Sequence, residues 1–145
     1  MHCDFIVLDH ISIVVSGSEE ADDNERRAID KLMTNLRSLV QETGVGIILV
    51  SHLRNKNTGG KAHEDGGKIA LSELRGSGGI KQLSDFVIGL ERDQQGKNPN
   101  NANIRVLKAR LGGKTGIAGA VTYNEFTGRL LPGESEVTPV TNNDF

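Results

Sequence analysis

Three short, uninterrupted apolar runs, each closed by polar side chains, constrain the fold of this chain more than any other feature. They are Phe5-Ile6-Val7-Leu8 before Asp9, Ile47-Ile48-Leu49-Val50 before Ser51 and His52, and Phe86-Val87-Ile88-Gly89-Leu90 before Glu91 and Arg92. Apolar, β-branched runs without polar alternation read as strands buried on both faces, the habit of parallel sheets. Between the first two, Ile29, Leu32, Met33, Leu36, Leu39 and Val40 recur at helical spacing, with Arg26, Arg27, Asp30, Lys31 and Arg37 on the other side. Asp22, Asp23 and Glu25 suit the start of that helix by their charge, and Gly44 suits its end. Strand, amphipathic helix, strand predicts a βαβ unit with a right-handed crossover, and so an α/β fold with a parallel sheet.

The rest of the chain is read around that unit. Residues 16–24 are polar and read as a loop, and residues 54–68 form a second loop that is glycine-rich and basic. A short helix is expected over 72–85, entered through Arg75-Gly76-Ser77-Gly78. After a turn-rich stretch at 96–101, alternation at Ile104 and Val106, a Gly112-Gly113 turn and the run from Ile117 to Tyr123 predict an antiparallel hairpin. From Pro132 the composition turns to Gly, Ser, Thr, Pro, Asn and acid, which reads as a disordered acidic tail. The expected division is therefore a core over 1–131 and a tail over 132–145.

Composition narrows the function. The chain has 145 residues and a net charge of −2, which excludes a wholesale cationic coat for nucleic acid but allows a local basic loop. Cys3 is the single cysteine, so an internal disulfide and a cysteine-based zinc site are excluded and a reducing compartment is expected. His2, Cys3, His10 and His63 match no zinc spacing. Neither a signal peptide nor a membrane-length apolar stretch is visible, so the cytoplasm is the expected location, with no membrane partner.

Ligands of open parallel sheets bind beyond the carboxyl ends of the strands. Asp9, His52 and Arg92 stand at those ends. An Asp closing a buried strand can hold a water of nucleotide-bound Mg²⁺, although one such Asp alone is more often a solvated strand end. A lone His52 is more often structural; the combination is what favours a phosphate-and-metal site. Gly112-Gly113-Lys114-Thr115 imitates a phosphate loop, but position 108 is Lys where that motif needs Gly, and the following residues continue as a strand.

Asp4-Phe-Ile-Val-Leu-Asp-His-Ile-Ser, Ser51-His-Leu-Arg-Asn, Leu74-Arg-Gly-Ser-Gly, Gln82-Leu-Ser-Asp, Leu90-Glu-Arg-Asp-Gln-Gln-Gly and Lys108-Ala-Arg occur in one order. Together they resemble the C-terminal part of the hexameric replicative DNA helicases of the DnaB/Twinkle superfamily, nearest to the primase–helicases of T-seven-like phages. The resemblance runs from residue 3 to about residue 131 and implies the later half of a RecA-like core. It implies that Asp9 is the Walker B acid for Mg²⁺ and that His52 is a γ-phosphate sensor beside a DNA loop. It assigns Arg54, Asn55, Lys56 and Lys61 to one single-stranded-DNA loop, and Arg75, Gly76 and Ser77 to a second. Gln82 is the implied link between that second loop and the nucleotide site. Arg92 and Tyr123 are the implied base-sandwiching pair, while Lys108 and Arg110 are the implied trans-acting lysine and arginine finger. The implied substrate is an NTP (ATP or dTTP), the partners are single-stranded DNA and further subunits of a homo-hexameric ring, and the setting is a phage-infected bacterium. The tail, with Glu134, Glu136, Asp144 and Phe145, is less acidic than its counterparts that dock on the replicative DNA polymerase.

Each assignment has a plainer rival: a solvated loop at 54–68, a helix-surface amide at Gln82, edge packing at Tyr123, and a charged strand face at Lys108 and Arg110. The family's phosphate loop and catalytic glutamate are expected upstream of this chain, so weak hydrolysis by the chain alone is expected. A non-catalytic module that binds single-stranded DNA or a related helicase is the alternative, and a filament-forming recombinase relative is less well matched.

Overall fold

The computed structural model describes residues 3–16, 21–54, 61–75 and 77–135. Asn55, Lys56, Gly76, the Ser77 side chain and the tail residues Glu136, Asp144 and Phe145 therefore lie outside the described set. The chain divides into two compact units, the first from residues 1–54 and 71–84, the second from 55–70 and 85–145.

In the first unit, β1 (Phe5–Leu8) pairs in parallel with β2 (Gly46–Leu49) in the register Phe5 to Gly46 through Leu8 to Leu49. The connection is helical, as the spacing predicts. A short helix α1 (Ile11–Ser16) precedes α2 (Ala21–Thr43), where the sequence reads as loop up to residue 24. Ile11 and Val15, one turn apart, bury α1, and Ala28, Ile29 and Met33 form the buried stripe of α2. The helix stops at Gly44, whose φ of 73° lies in the left-handed region and whose N–H donates to the Val40 carbonyl at 2.9 Å. A 3₁₀ turn at Leu71–Glu73 leads to α3 (Ser77–Leu83), so the expected helix over 72–85 is shorter and broken near Leu74 and Arg75. Helix α3 packs against α2.

In the second unit, β3 (Phe86–Arg92), β4 (Asn101–Ala109), β5 (Gly116–Asn124) and β6 (Arg129–Pro132) form an antiparallel meander. The hairpin of β4 and β5 is the one expected. The Phe86–Leu90 run differs from expectation: it pairs antiparallel with β4, not in parallel with β1 or β2. An apolar run marks a strand but not the direction of its partner, nor that both of its faces are covered, so the sequence alone cannot fix this pairing. Strand β6 is a further difference, because Pro132 closes a strand and the Gly133 N–H still donates to the Ala120 carbonyl at 2.9 Å. Its turn is set by Asn124, whose side-chain oxygen accepts from the N–H groups of Phe126 and Thr127.

Strand β3 alternates, with Val87, Gly89 and Glu91 buried and Phe86, Ile88 and Leu90 exposed. The buried side is covered by residues 67–70, whose Ile69 is itself buried. Glu91 is the buried charge of the described residues, 7% exposed. It receives the Arg105 guanidinium through Nε at 2.6 Å and Nη2 at 3.0 Å, and the Ile69 N–H at 2.8 Å. Burial pushes the Glu91 carboxyl up, but the Arg105 and Ile69 hydrogen bonds and the charges of Arg105 and Lys68 outweigh it and hold it below its ordinary value.

Candidate functional site

The ladder between β1 and β2 runs on beyond the strands. Val50 N–H donates to the Leu8 carbonyl at 2.9 Å, and Ile11 N–H donates back to the Val50 carbonyl at 3.0 Å. These bonds bring Asp9, His10 and His52 to one end of the pair. Asp9 is exposed, and the His10 and His52 rings meet edge to face, with centroids 4.2 Å apart and planes at 90°. The Nδ1 of His10 and the Oγ of Ser12 are buried with no hydrogen-bond partner among the described residues.

Just past His52 the chain pairs with the segment before α3. Leu53 and Leu74 form an antiparallel bridge, Arg75 N–H donates to the His52 carbonyl at 3.2 Å, and Arg54 N–H donates to the Glu73 carbonyl at 2.8 Å. The first described residues of the two segments assigned to DNA, Arg54 and Arg75, thus share one backbone root that begins at His52. The second is further fixed through Arg75, whose guanidinium contacts the Glu25 carboxylate at 3.0 and 3.3 Å. Helix α3 is anchored where the Gly79 N–H donates to the Asp30 carboxylate at 2.6 Å. That close approach requires glycine, since a Cβ there would lie 2.8 Å from the Asp30 oxygen and 3.2 Å from its Cα. Gln82 lies exposed on the same helix.

The second unit holds the other assigned residues. Arg92 and Tyr123 share a sheet face: Arg92 is opposite Ala102, Ala102 is opposite Val121, and Tyr123 lies two residues on. The Arg92 guanidinium donates to the Pro99 carbonyl and to the Asn100 side chain, which in turn donates to Glu125 at 2.7 Å. Lys108 lies opposite Val87 and Ala109 opposite Phe86, so Lys108 and Arg110 share the other face. Arg110 contacts Asp85 at 3.1 Å, both half-exposed. Lys61 contacts Asp93 at 2.8 Å and, with the amides of Gln95 and Gly96, holds that carboxyl below its ordinary value. Exposed pairs of this kind are screened by solvent and hold their side chains weakly.

Asp9 is an exposed carboxylate at the end of β1, the kind of group that would hold a metal ion through water, and the Ser12 hydroxyl three residues on is buried without a partner among the described residues. No group of three or more ligating side chains occurs among the described residues, and Mg²⁺ commonly keeps several waters while bound to substrate phosphates. Sequence reasoning places Asp9 and His52 but misses the His10–His52 contact and the Glu91–Arg105–Ile69 clamp. The acid at the end of an apolar strand is the one visible signal for the clamp; nothing local marks the ring contact.

Parallel strands joined by helix, with an acid and a histidine at their carboxyl ends and a terminal antiparallel meander, define the later half of a RecA-like α/β domain. A solved ATPase domain has the same fold, with a TM-score of 0.68 at 20% identity over 90% of this chain and 44% of that one. Residues 1–128 match the family model of the DnaB-like helicase C-terminal domain. The DNA helicase/primase of Enterobacteria phage T3 is 55% identical over 90% of the chain, and the replicative DNA helicase DnaC of Bacillus subtilis (strain 168) is 28% identical over 83%. This chain belongs to the DnaB-like helicase C-terminal domain family. It spans 22% and 27% of the length of those two relatives. No helix among the described residues is long and apolar enough to cross a membrane.

Proposed function

We propose that this chain is the sensing and DNA-gripping part of a ring-helicase motor, which hydrolyses an NTP and moves along single-stranded DNA to unwind the duplex ahead. One observation carries the reading: the ends of β1 and β2 bring Asp9, His52 and the common root of two loops to one place. Phosphate chemistry and strand movement need such a junction, because charge lost on hydrolysis must reach the groups that hold DNA.

In this reading Asp9 orients the water shell of Mg²⁺, which screens the phosphate charge when bound. His52 contacts the γ-phosphate. Lys108 and Arg110 reach a nucleotide on a neighbouring subunit of a hexamer, where they neutralise charge as the terminal phosphoryl group passes to water. Arg92 and Tyr123, on one face, hold the base by stacking and cation–π contact. Arg54, Asn55, Lys56 and Lys61, with Arg75, Gly76 and Ser77, grip the DNA backbone, and Gln82 links that grip to the nucleotide. The tail ending in Phe145 is a polymerase-docking segment.

The test is to mix the chain with a separately produced upstream half of a related helicase domain and measure NTP hydrolysis with and without single-stranded DNA. DNA-stimulated hydrolysis is expected only in the mixture, and substitution of Asp9 by Asn should abolish it. Full activity of the chain alone would overturn the dependence on an upstream half. DNA binding with no hydrolysis in any mixture would favour the non-catalytic module.

A further inference from the structure

We infer that His10 is a positioning residue for His52, and that the ring pair ties the Asp9 end of β1 to the shared root of the two DNA loops. This rests on the motor reading for what His52 senses, but the contact itself does not depend on that reading. His10 is held from its backbone: its carbonyl accepts the Ile13 N–H at 3.1 Å, and the next residue donates to Val50. Its ring is half-buried, whereas His52 is exposed and lies beyond the last residue of β2. A fixed ring against an exposed one sets where the exposed imidazole points. The His52 carbonyl is also the acceptor for Arg75 N–H, and Leu53 is bridged to Leu74. A shift of His52 on its platform therefore reaches the second loop through one hydrogen bond and the first, at Arg54, through the two peptide units that flank Leu53.

The experiment uses the whole chain, labelled with ¹⁵N, at one fixed pH. The imidazole resonances of its four histidines are assigned by single substitutions, then followed as an oligo-dT strand is added. His10→Ala is expected to move the His52 ring resonances in the DNA-free chain and to remove their response to oligo-dT. His10→Phe, which keeps a ring, is expected to retain that response, and His63 in the second unit should stay in place. Unchanged His52 resonances in His10→Ala, or a full oligo-dT response without the ring, overturn the inference. If the unsubstituted chain does not bind oligo-dT, the DNA reading fails, and the DNA-free spectra still decide the role of His10. If His10→Ala does not fold, His52→Ala replaces it: the His10 ring resonances must then move, and their staying put refutes the contact.

Discussion

Replacing Glu91 by Gln leaves the shape of the second unit's clamp but removes the charge that Arg105 faces. Arg105 has a side chain only 17% exposed, so its guanidinium is left largely desolvated with one weak acceptor. Breaking a buried pair by removing one partner costs about 3–5 kcal/mol, and the residual exposure of Arg105 and the Gln oxygen still open to Ile69 N–H reduce this to about 2–3 kcal/mol. With a urea slope of about 1.5 kcal/mol/M, the midpoint falls by roughly 1.3–2 M. Tyr123 is the sole tyrosine and there is no tryptophan, so intrinsic fluorescence reports the unit that contains Glu91. The pH dependence has a definite sign. A carboxyl held below its ordinary value contributes fully above the unfolded value, about 4.3, and loses that contribution as pH falls from there through the folded value. The urea midpoint of the natural chain should therefore drop as pH is lowered from about 5, and the Gln variant should lack that part of the drop. A Gln variant whose midpoint lies within about 0.3 M of the natural chain at pH 7 refutes the clamp. Glu91→Leu with Arg105→Leu should recover part of the loss, leaving the cost of the Ile69 amide without its acceptor.

Other perturbations separate packing from function. Asp30→Ala removes the acceptor of the Gly79 amide and should destabilise the first unit by about 1–2 kcal/mol, read as lost helical circular dichroism at lower temperature. Gly79→Ala should cost about 1–3 kcal/mol by overpacking against the same Asp30. Arg110→Ala removes a half-exposed pair with Asp85, so stability should change by less than about 1 kcal/mol. In the reconstituted mixture the same variant should lose about 10³-fold or more of DNA-stimulated hydrolysis, and retained activity removes the finger assignment. Arg54→Ala should weaken single-stranded-DNA binding and lower the slope of log affinity against log salt by about 0.7; an unchanged slope takes Arg54 off the DNA.

The helical period from Ile29 to Val40 and the polar endings of the apolar runs are legible because each is written within a few residues. So are Gly44 as a helix stop and the hairpin around Gly112. What stays hidden depends on pairing across the chain. Nothing in Phe86–Leu90 says that its partner runs antiparallel, and Arg129–Pro132 carries too few apolar residues before its proline to announce an edge strand. The bridge of Leu53 with Leu74 and the contact of His10 with His52 join residues that share no local pattern. The candidate residues can thus be named one by one from the resemblance, while the hydrogen bonds that join the segments carrying them are readable only in the fold.

The apolar runs also pose a question that the fold answers by half. Each reads as buried on two faces, yet Phe5, Val7 and Ile48 on one face of the β1–β2 pair, and Phe86, Ile88 and Leu90 on one face of β3, are all more than half exposed. Parallel strands are ordinarily covered on both sides by helices of their own domain, and exposed apolar patches of this kind mark contact surfaces. The chain covers 44% of a solved ATPase domain, so a domain of that length has ample further chain to supply such a cover. If the upstream half proposed above is the cover, the chain alone should bind a hydrophobic dye strongly, and adding that half should suppress the dye signal in step with the appearance of hydrolysis. Restored hydrolysis with undiminished dye binding would show that these faces serve some other contact, leaving the motor reading intact but its assembly wrong.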